Sequence, residues 1–243
     1  MSEELGPDAN AGGSAVAHSA AEAPRRARGR PRKTPGERDD GNRRQELIRA
    51  AAKLFRAKGF AATSTRDIAA AVGMHSGSPF YHFKSKNALL CEVMEQGMHS
   101  AIHRQAFTMH RLQALSAAGD APPPETALRA LIRTHFDILL GPDSDFIPVM
   151  LYEWRSLRPK QRVGVAQLQH DYEAAWLPLL QALKQAGRLH ADVHLARLLL
   201  LGALNWAVQW YNPKQSASLD GLTDAAMGLF VKPLRPLALG GST

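Results

Sequence analysis

Only one cysteine, Cys91, occurs in the 243 residues. An internal disulfide framework and any multi-cysteine metal centre are thereby excluded. Long apolar runs are missing too. The longest, Leu198 to Val208, has eleven residues and contains Asn205, well short of the ~18 that span a bilayer. Residues 1–24 hold mostly Ala, Gly, Ser and acids where a secretory leader would carry an apolar core. The chain therefore reads as soluble and cytoplasmic, with no membrane partner. No stretch alternates apolar and polar residues over a strand's length, and no internal repeat is visible. The hydrolase motif G-x-S-x-G, the phosphate-binding P-loop and the zinc motif H-E-x-x-H are absent as well. No catalytic group, cofactor or metal is expected.

Charge is present, and unevenly spread. The formal net charge is +8. Residues 45–90 hold seven basic and two acidic side chains, while residues 91–243 hold fourteen and thirteen. A basic 46-residue block on a nearly neutral body suggests a polyanion-binding head attached to something else. Residues 1–42 are poor in large apolar side chains and read as a disordered basic arm. Within it, six of the nine residues from Arg25 to Lys33 are basic. The Arg28-Gly29-Arg30-Pro31-Arg32 segment resembles an AT-hook, whose arginines enter the narrow minor groove of A·T-rich DNA.

Ordered structure is expected from residue 43, with Asn42 and Gln45 as a capping pair. Leu47, Ile48, Ala51, Leu54 and Phe55 then recur at helical spacing up to Gly59, a natural stop. Ser64 and Asp67 spell the start of a second helix, Thr65 to Val72, which Gly73 breaks. A third short helix runs from about Ser76 to His82 with Pro79 in its first turn, and a fourth from Lys86 to about Met109. Further helices are expected near 125–140, 144–157, 160–187, 192–211 and 218–231, punctuated by Gly141-Pro142, Arg158-Pro159, Gly187 and Asn212-Pro213. The fold class is all-α, with about nine helices. The expected division is a head over 43–90, a body over 91–232 and a flexible tail over 233–243.

Three helices in ~45 residues, the last two short and joined by a glycine turn, form a helix-turn-helix. Arg66-Asp67-Ile68-Ala69, then Gly73, then Gly77-Ser78-Pro79-Phe80-Tyr81-His82-Phe83-Lys84-Ser85-Lys86, closely resembles the signature of the tetracycline-repressor (TetR) family of bacterial regulators. The resemblance covers residues 43–90 strongly and extends to the all-helical architecture beyond. The segment Gly202 to Tyr211 resembles members that regulate fatty-acid and steroid catabolism.

The resemblance implies a ligand-responsive homodimer that binds a palindromic double-stranded operator. The third helix would enter the major groove, so that His75, Ser76 and Ser78 meet base edges and phosphates and Gly77 lets the backbone approach. Many relatives carry lysine where Ser76 stands. Tyr81 and Lys86 match the family's phosphate contacts, whereas Phe80 lacks the usual hydroxyl. Thr63 and Thr65 would serve a phosphate at the second helix's N-terminus. Arg66, His82, Lys84 and the arm's Arg28, Arg30 and Arg32 complete the expected DNA contacts.

The body must supply a partner surface and a pocket. The helix from Leu195 to Trp210 is apolar on more than one face, and with the last helix it resembles the family's dimer interface. Leu199, Ala203, Ala207, Met227 and Phe230 are its expected contacts. Pocket candidates are Phe136, Phe146, Met150, Trp154, Trp176, Trp206 and Trp210, with Arg133, His135, Arg155 and Asn205 as polar handles. A small hydrophobic effector, an acyl-CoA by resemblance, is expected there. Two other readings stand beside this one. His99 and His103, one turn apart with Glu92 and Glu95 nearby, would suit a zinc-dependent enzyme, and His190/His194 repeat the spacing. The basic arm alone would suit an architectural A·T-rich DNA-binding protein.

Overall fold

The computed structural model describes residues 35–74, 79–116, 121–142, 144–214 and 217–233, and every regular element among them is helical. In chain order the helices are α1 Pro35–Lys58, α2 Thr65–Ala71, α3 Pro79–His82, α4 Lys86–Leu115, α5 Pro124–Leu140, α6 Phe146–Glu153, α7 Pro159–Ala174, α8 Leu177–Gln185, α9 Val193–Trp210 and α10 Leu219–Phe230. A 3-10 turn, Trp154–Ser156, follows α6. Most of the basic arm, and the tail beyond Pro233, lie outside the described residues. None of the described helices is long and apolar enough to cross a membrane.

Leu47, Ile48, Ala51, Ala52 and Phe55 of α1 are buried with Ile68, Phe83, Leu89 and Leu90, which closes the core of a small head. Gly59 (φ +81°) and Gly73 (φ +66°) end α1 and α2 in the left-handed region, which glycine enters without a Cβ clash. α4 belongs to head and body alike, since it packs on α1 at one end and on α5, α6 and α7 beyond. α5 in turn packs against α8, α9 and α10.

Several boundaries differ from expectation. α1 begins at Pro35, not beyond Asn42. The proline supplies a start of its own, with its fixed φ and missing N–H both tolerated in a first turn. Asn42 is thus inside the helix, and Gln45 pairs with Gln96 of α4 (2.8 Å) instead of capping. α4 runs on to Leu115, because nothing after Met109 breaks it. The segment expected as one helix over 160–187 is two, α7 and α8. Pro178, in the first turn of α8, cannot continue a helix because its ring would meet the carbonyl of residue 174.

α4 and α6 approach closely at Gly97. A Cβ there would lie 2.8 Å from Cβ of Phe146, an atom fixed to the α6 backbone. Gly97→Ala gains about 1 kcal/mol of helix propensity but meets an overpacking cost of about 1–3 kcal/mol. A net loss near 1 kcal/mol is expected in urea unfolding. A stabilised variant would show that α6 yields freely.

Candidate nucleic-acid interface and effector cavity

Ser64 caps α2 through the expected box: Asp67 N–H donates to Ser64 Oγ (3.1 Å) and Ser64 N–H to Asp67 Oδ2 (2.8 Å). Ser64 N–H and Ser64 Oγ–H (2.8 Å) both donate to Asp67 Oδ2 and hold that carboxyl below its ordinary pKa. The capped turn leaves Arg66 exposed and Thr65 half-buried. Thr63, expected to meet a phosphate, is instead fully buried, and its hydroxyl donates to the Gly59 carbonyl (2.8 Å) and towards that of Leu54 (3.3 Å). It shapes the turn between α1 and α2.

Lys86 is likewise committed. Its ammonium donates to the carbonyls of Phe60 (2.7 Å) and Thr63 (2.8 Å) and stands 4.3 Å from the centre of the Phe60 ring. One of its three N–H donors is left for a phosphate. Tyr81 is 81% exposed, with the His82 ring edge-on at 5.3 Å, and Lys84 is exposed beside them. Arg66, Tyr81 and Lys84 of the helix-turn-helix are thus all exposed to solvent. His75, Ser76, Gly77 and Ser78 lie outside the described residues, as do Arg28, Arg30 and Arg32.

A small cavity lies between α4, α5, α6, α7 and α9. Met98, Ala101, Ile138, Ile147, Met150 and Leu201 form its apolar wall, and His135, Gln169, Tyr172, Glu173 and Asn205 its polar side. About 30 Å³ is free inside, the space of a water or two. His135 lies between two partners, Nδ1 2.9 Å from Tyr172 Oη and Nε2 3.1 Å from Asn205 Oδ1. An amide oxygen only accepts, so Nε2 carries the proton and Nδ1 accepts from the Tyr172 hydroxyl. Burial pushes the His135 pKa down to about 4, against the opposing pull of Asn205. It pushes the Tyr172 phenol up. The polar side is therefore uncharged at neutral pH, apart from Glu173, which is paired with Arg197 of α9. Trp176 backs this cluster, fully buried, edge-on to His135 at 5.9 Å.

Of the expected pocket residues, His135, Met150 and Asn205 meet in this cavity. Phe136 and Trp176 are core side chains that do not line it. Phe146 lines an outer groove beside α1, while Trp154 and Arg155 line another beside Met150 and Gln169. Arg133 is a surface tether, bonded to Asp137 (2.5 Å) and to Asp220 of α10 (2.8 Å). Trp206 and Trp210 face outward. Tyr172, Gln169 and Glu173, which sequence reasoning missed, share the inward face of α7; the spacing Val165, Gln169, Tyr172, Trp176 was the available signal.

α9 has two apolar faces. Ala196, Leu200, Leu201, Leu204 and Ala207 are buried against the body. Leu195, Leu198, Leu199, Trp206 and Trp210 are exposed and fall within an arc of about 120° at 100° per residue. Gly202 and Ala203 lie exposed among them. Ala207, expected at a partner surface, is a core residue instead. On α10, Leu229 is 83% exposed, while Met227 and Phe230 are half-buried.

Burial and the neighbouring Glu95 carboxylate push the Cys91 thiol up to about 12, which leaves it protonated and inert. His99 and His103 are exposed, and among the described residues no three His, Cys, Asp or Glu side chains are placed to hold a metal.

Residues 47–93 match the family model described as bacterial regulatory proteins, tetR family, and residues 121–234 match the tetracyclin repressor-like C-terminal domain. The HTH-type transcriptional repressor KstR2 of Rhodococcus jostii is 31% identical over 196 residues, 77% of this chain and 90% of that protein. AibR, solved in complex with isovaleryl coenzyme A and operator DNA, superposes with TM-score 0.69 at 22% identity, over 79% of this chain and 99% of AibR. The ketosteroid transcriptional regulator KstR2 of Mycobacterium tuberculosis does so with TM-score 0.64 at 21% identity, over 79% and 96%. At those two identities the likeness is one of fold. Head and body each match a model, and the Rhodococcus repressor aligns along nine-tenths of its length: the chain belongs to the tetR family of bacterial regulatory proteins, which bind DNA to control transcription and are not enzymes.

Proposed function

We propose that the protein is a homodimeric repressor of a palindromic operator, released when a small hydrophobic effector, an acyl-CoA, enters the cavity around His135. The observation that carries this reading is the connection between cavity and head. α6 supplies Ile147 and Met150 to the cavity wall. Its two ends hold the head: Glu153 Oε1 accepts from Phe60 N–H (2.8 Å), and Asp145 pairs with Arg56 of α1 (3.0 Å). An effector that displaces Ile147 and Met150 thus moves the groups that orient Arg66, Tyr81 and Lys84. It need only bind the displaced state better, by a few kcal/mol, to shift the population.

An apolar wall facing a polar side whose one carboxylate, Glu173, is paired with Arg197 suits an acyl group ending in a carbonyl. The relatives named for isovaleryl coenzyme A and ketosteroids agree in kind with such a ligand. Dimerisation through the exposed face of α9 would place two heads on two half-sites. The basic arm, Arg28, Arg30 and Arg32 included, would add minor-groove contacts beside them.

Selection from random duplexes should return a palindromic site. Octanoyl-CoA should then weaken operator binding at least tenfold by fluorescence anisotropy. Retention of full affinity across acyl-CoAs of two to eighteen carbons, with release by a non-thioester drug, would overturn the effector class.

A further inference from the structure

A second, larger hollow lies beside the His135 cavity, at the junction of head and body. It is a groove of about 440 Å³ between α1, α4 and the turn from α5 to α6. Its polar lining is Gln45 and Arg49 from α1, Gln96, Ser100 and Arg104 from α4, and Ser144 from the turn. No described carboxylate lines it. Asp145, the residue before α6, is held by Arg56. Neither Arg49 nor Arg104 makes an ion pair among the described residues, and both are exposed. Ser144 is buried, and its hydroxyl has no hydrogen-bond partner among the described residues. A buried hydroxyl left unpaired is costly, so the groove holds a donor waiting for an acceptor.

Ala101, Ile138 and Ile147 line this groove and the inner cavity alike, so one layer of side chains separates the two. We propose that the groove receives the phosphate-bearing end of the effector, the diphosphate ester of a coenzyme A, bridging Arg49 of the head and Arg104 of the body. The acyl arm would pass between Ile138 and Ile147 towards His135, and in that arm the proposal rests on the effector reading above. A diphosphate suits the site because two guanidinium groups and the Ser144 hydroxyl all donate, and among the described residues no lining carboxylate repels it. The other hollow that adjoins the cavity, beside Trp154, offers one arginine, Arg155, and no buried unpaired group.

The placement also has a regulatory consequence. Arg49 sits on the helix that carries the head, and Ser144 sits where α6 begins. A diphosphate held by both fixes the head against the body in one orientation. Contacts of that kind differ between two head positions, which is what a ligand needs to shift a conformational equilibrium.

Isothermal titration of the full chain tests the site with three probes: octanoyl-CoA, coenzyme A, and octanoyl-pantetheine, which keeps the thioester without the phosphates. The variant is R49Q/R104Q, whose exposed side chains can change without loss of the core; its melting curve should match the wild type's. Wild type should bind both coenzyme A probes, and the variant should bind each at least tenfold more weakly. Its affinity for octanoyl-pantetheine should stay within twofold. S144A should weaken the coenzyme A probes severalfold in the same direction. Octanoyl-CoA bound equally by wild type and R49Q/R104Q would overturn the groove and leave the cavity reading standing. Coenzyme A lost in the variant, with no gain from the octanoyl chain in wild type, would keep the groove and sink the acyl reading. No binding of either coenzyme A probe to wild type would end the proposal.

Discussion

Leu199→Glu combined with Trp206→Glu is expected to give a monomer and to weaken operator binding at least a hundredfold. Leu199 is 62% exposed and Trp206 65%, two turns apart at the centre of the outward apolar face of α9. Burying such side chains contributes about 1.5–3 kcal/mol each, and a two-fold interface counts every substitution twice. The glutamates reverse the sign of that contribution, because four carboxylates would have to be desolvated close to one another. Operator affinity falls when dimerisation is lost, because the second head then has no tether. Linkage of two binding modules is worth about 10²–10⁴ in affinity. Sedimentation equilibrium and anisotropy on the selected operator measure the two effects. Val163→Glu, on an exposed apolar residue of α7, should change neither. A double variant that remains dimeric at wild-type affinity would place the partner surface elsewhere.

The double face of α9 was legible as a surplus of apolar residues, but not its phase. Trp206, Ala207 and Trp210 follow one another within a turn and a half. Only the docking of α9 on α5 and α8 decides that Ala207 goes inward and the tryptophans outward. The head was more legible because its signals are local. Ser64 and Asp67 are three residues apart and complete their box without help from the rest of the chain. Gly59 stops α1 by its own backbone freedom. Reading the pocket from large aromatics and arginines failed where side chains answer to distant elements. Arg133 is claimed by Asp220, eighty-seven positions away, and Trp176 fills the core behind the cavity instead of lining it. Tyr172 and Gln169 went unnoticed because α7 is otherwise polar, although their spacing marks its inward face. Thr63 shows the reverse error, since its place beside a helix start suggested a phosphate while its hydroxyl serves the turn.

Acid should destabilise the protein through His135, and the sign follows from where the proton is bound. Unfolded, the imidazole titrates near its ordinary value of 6.5; folded, burial lowers it to about 4. Between those limits the unfolded chain takes up a proton that the folded chain refuses. The stabilising contribution is thus complete above pH 6.5 and lost as pH falls towards 4, about 3 kcal/mol in all. No carboxylate offsets this by approaching the ring. Its neighbours are the Tyr172 hydroxyl, the Asn205 amide and the indole of Trp176. Glu173, on the same cavity, is taken up by Arg197. His135→Gln cannot be protonated, so its unfolding should lack this component while keeping that of the carboxylates. At pH 7 the variant should be less stable, by about 1–3 kcal/mol for the two hydrogen bonds disturbed. At pH 4.5 the gap should close or reverse, because wild type alone has lost the imidazole's contribution. Urea midpoints of both proteins at pH 7 and 4.5 decide it. A gap that stays constant with pH would mean that His135 is solvated and charged in the folded state, and that the polar side of the cavity is not the neutral surface on which the acyl reading depends.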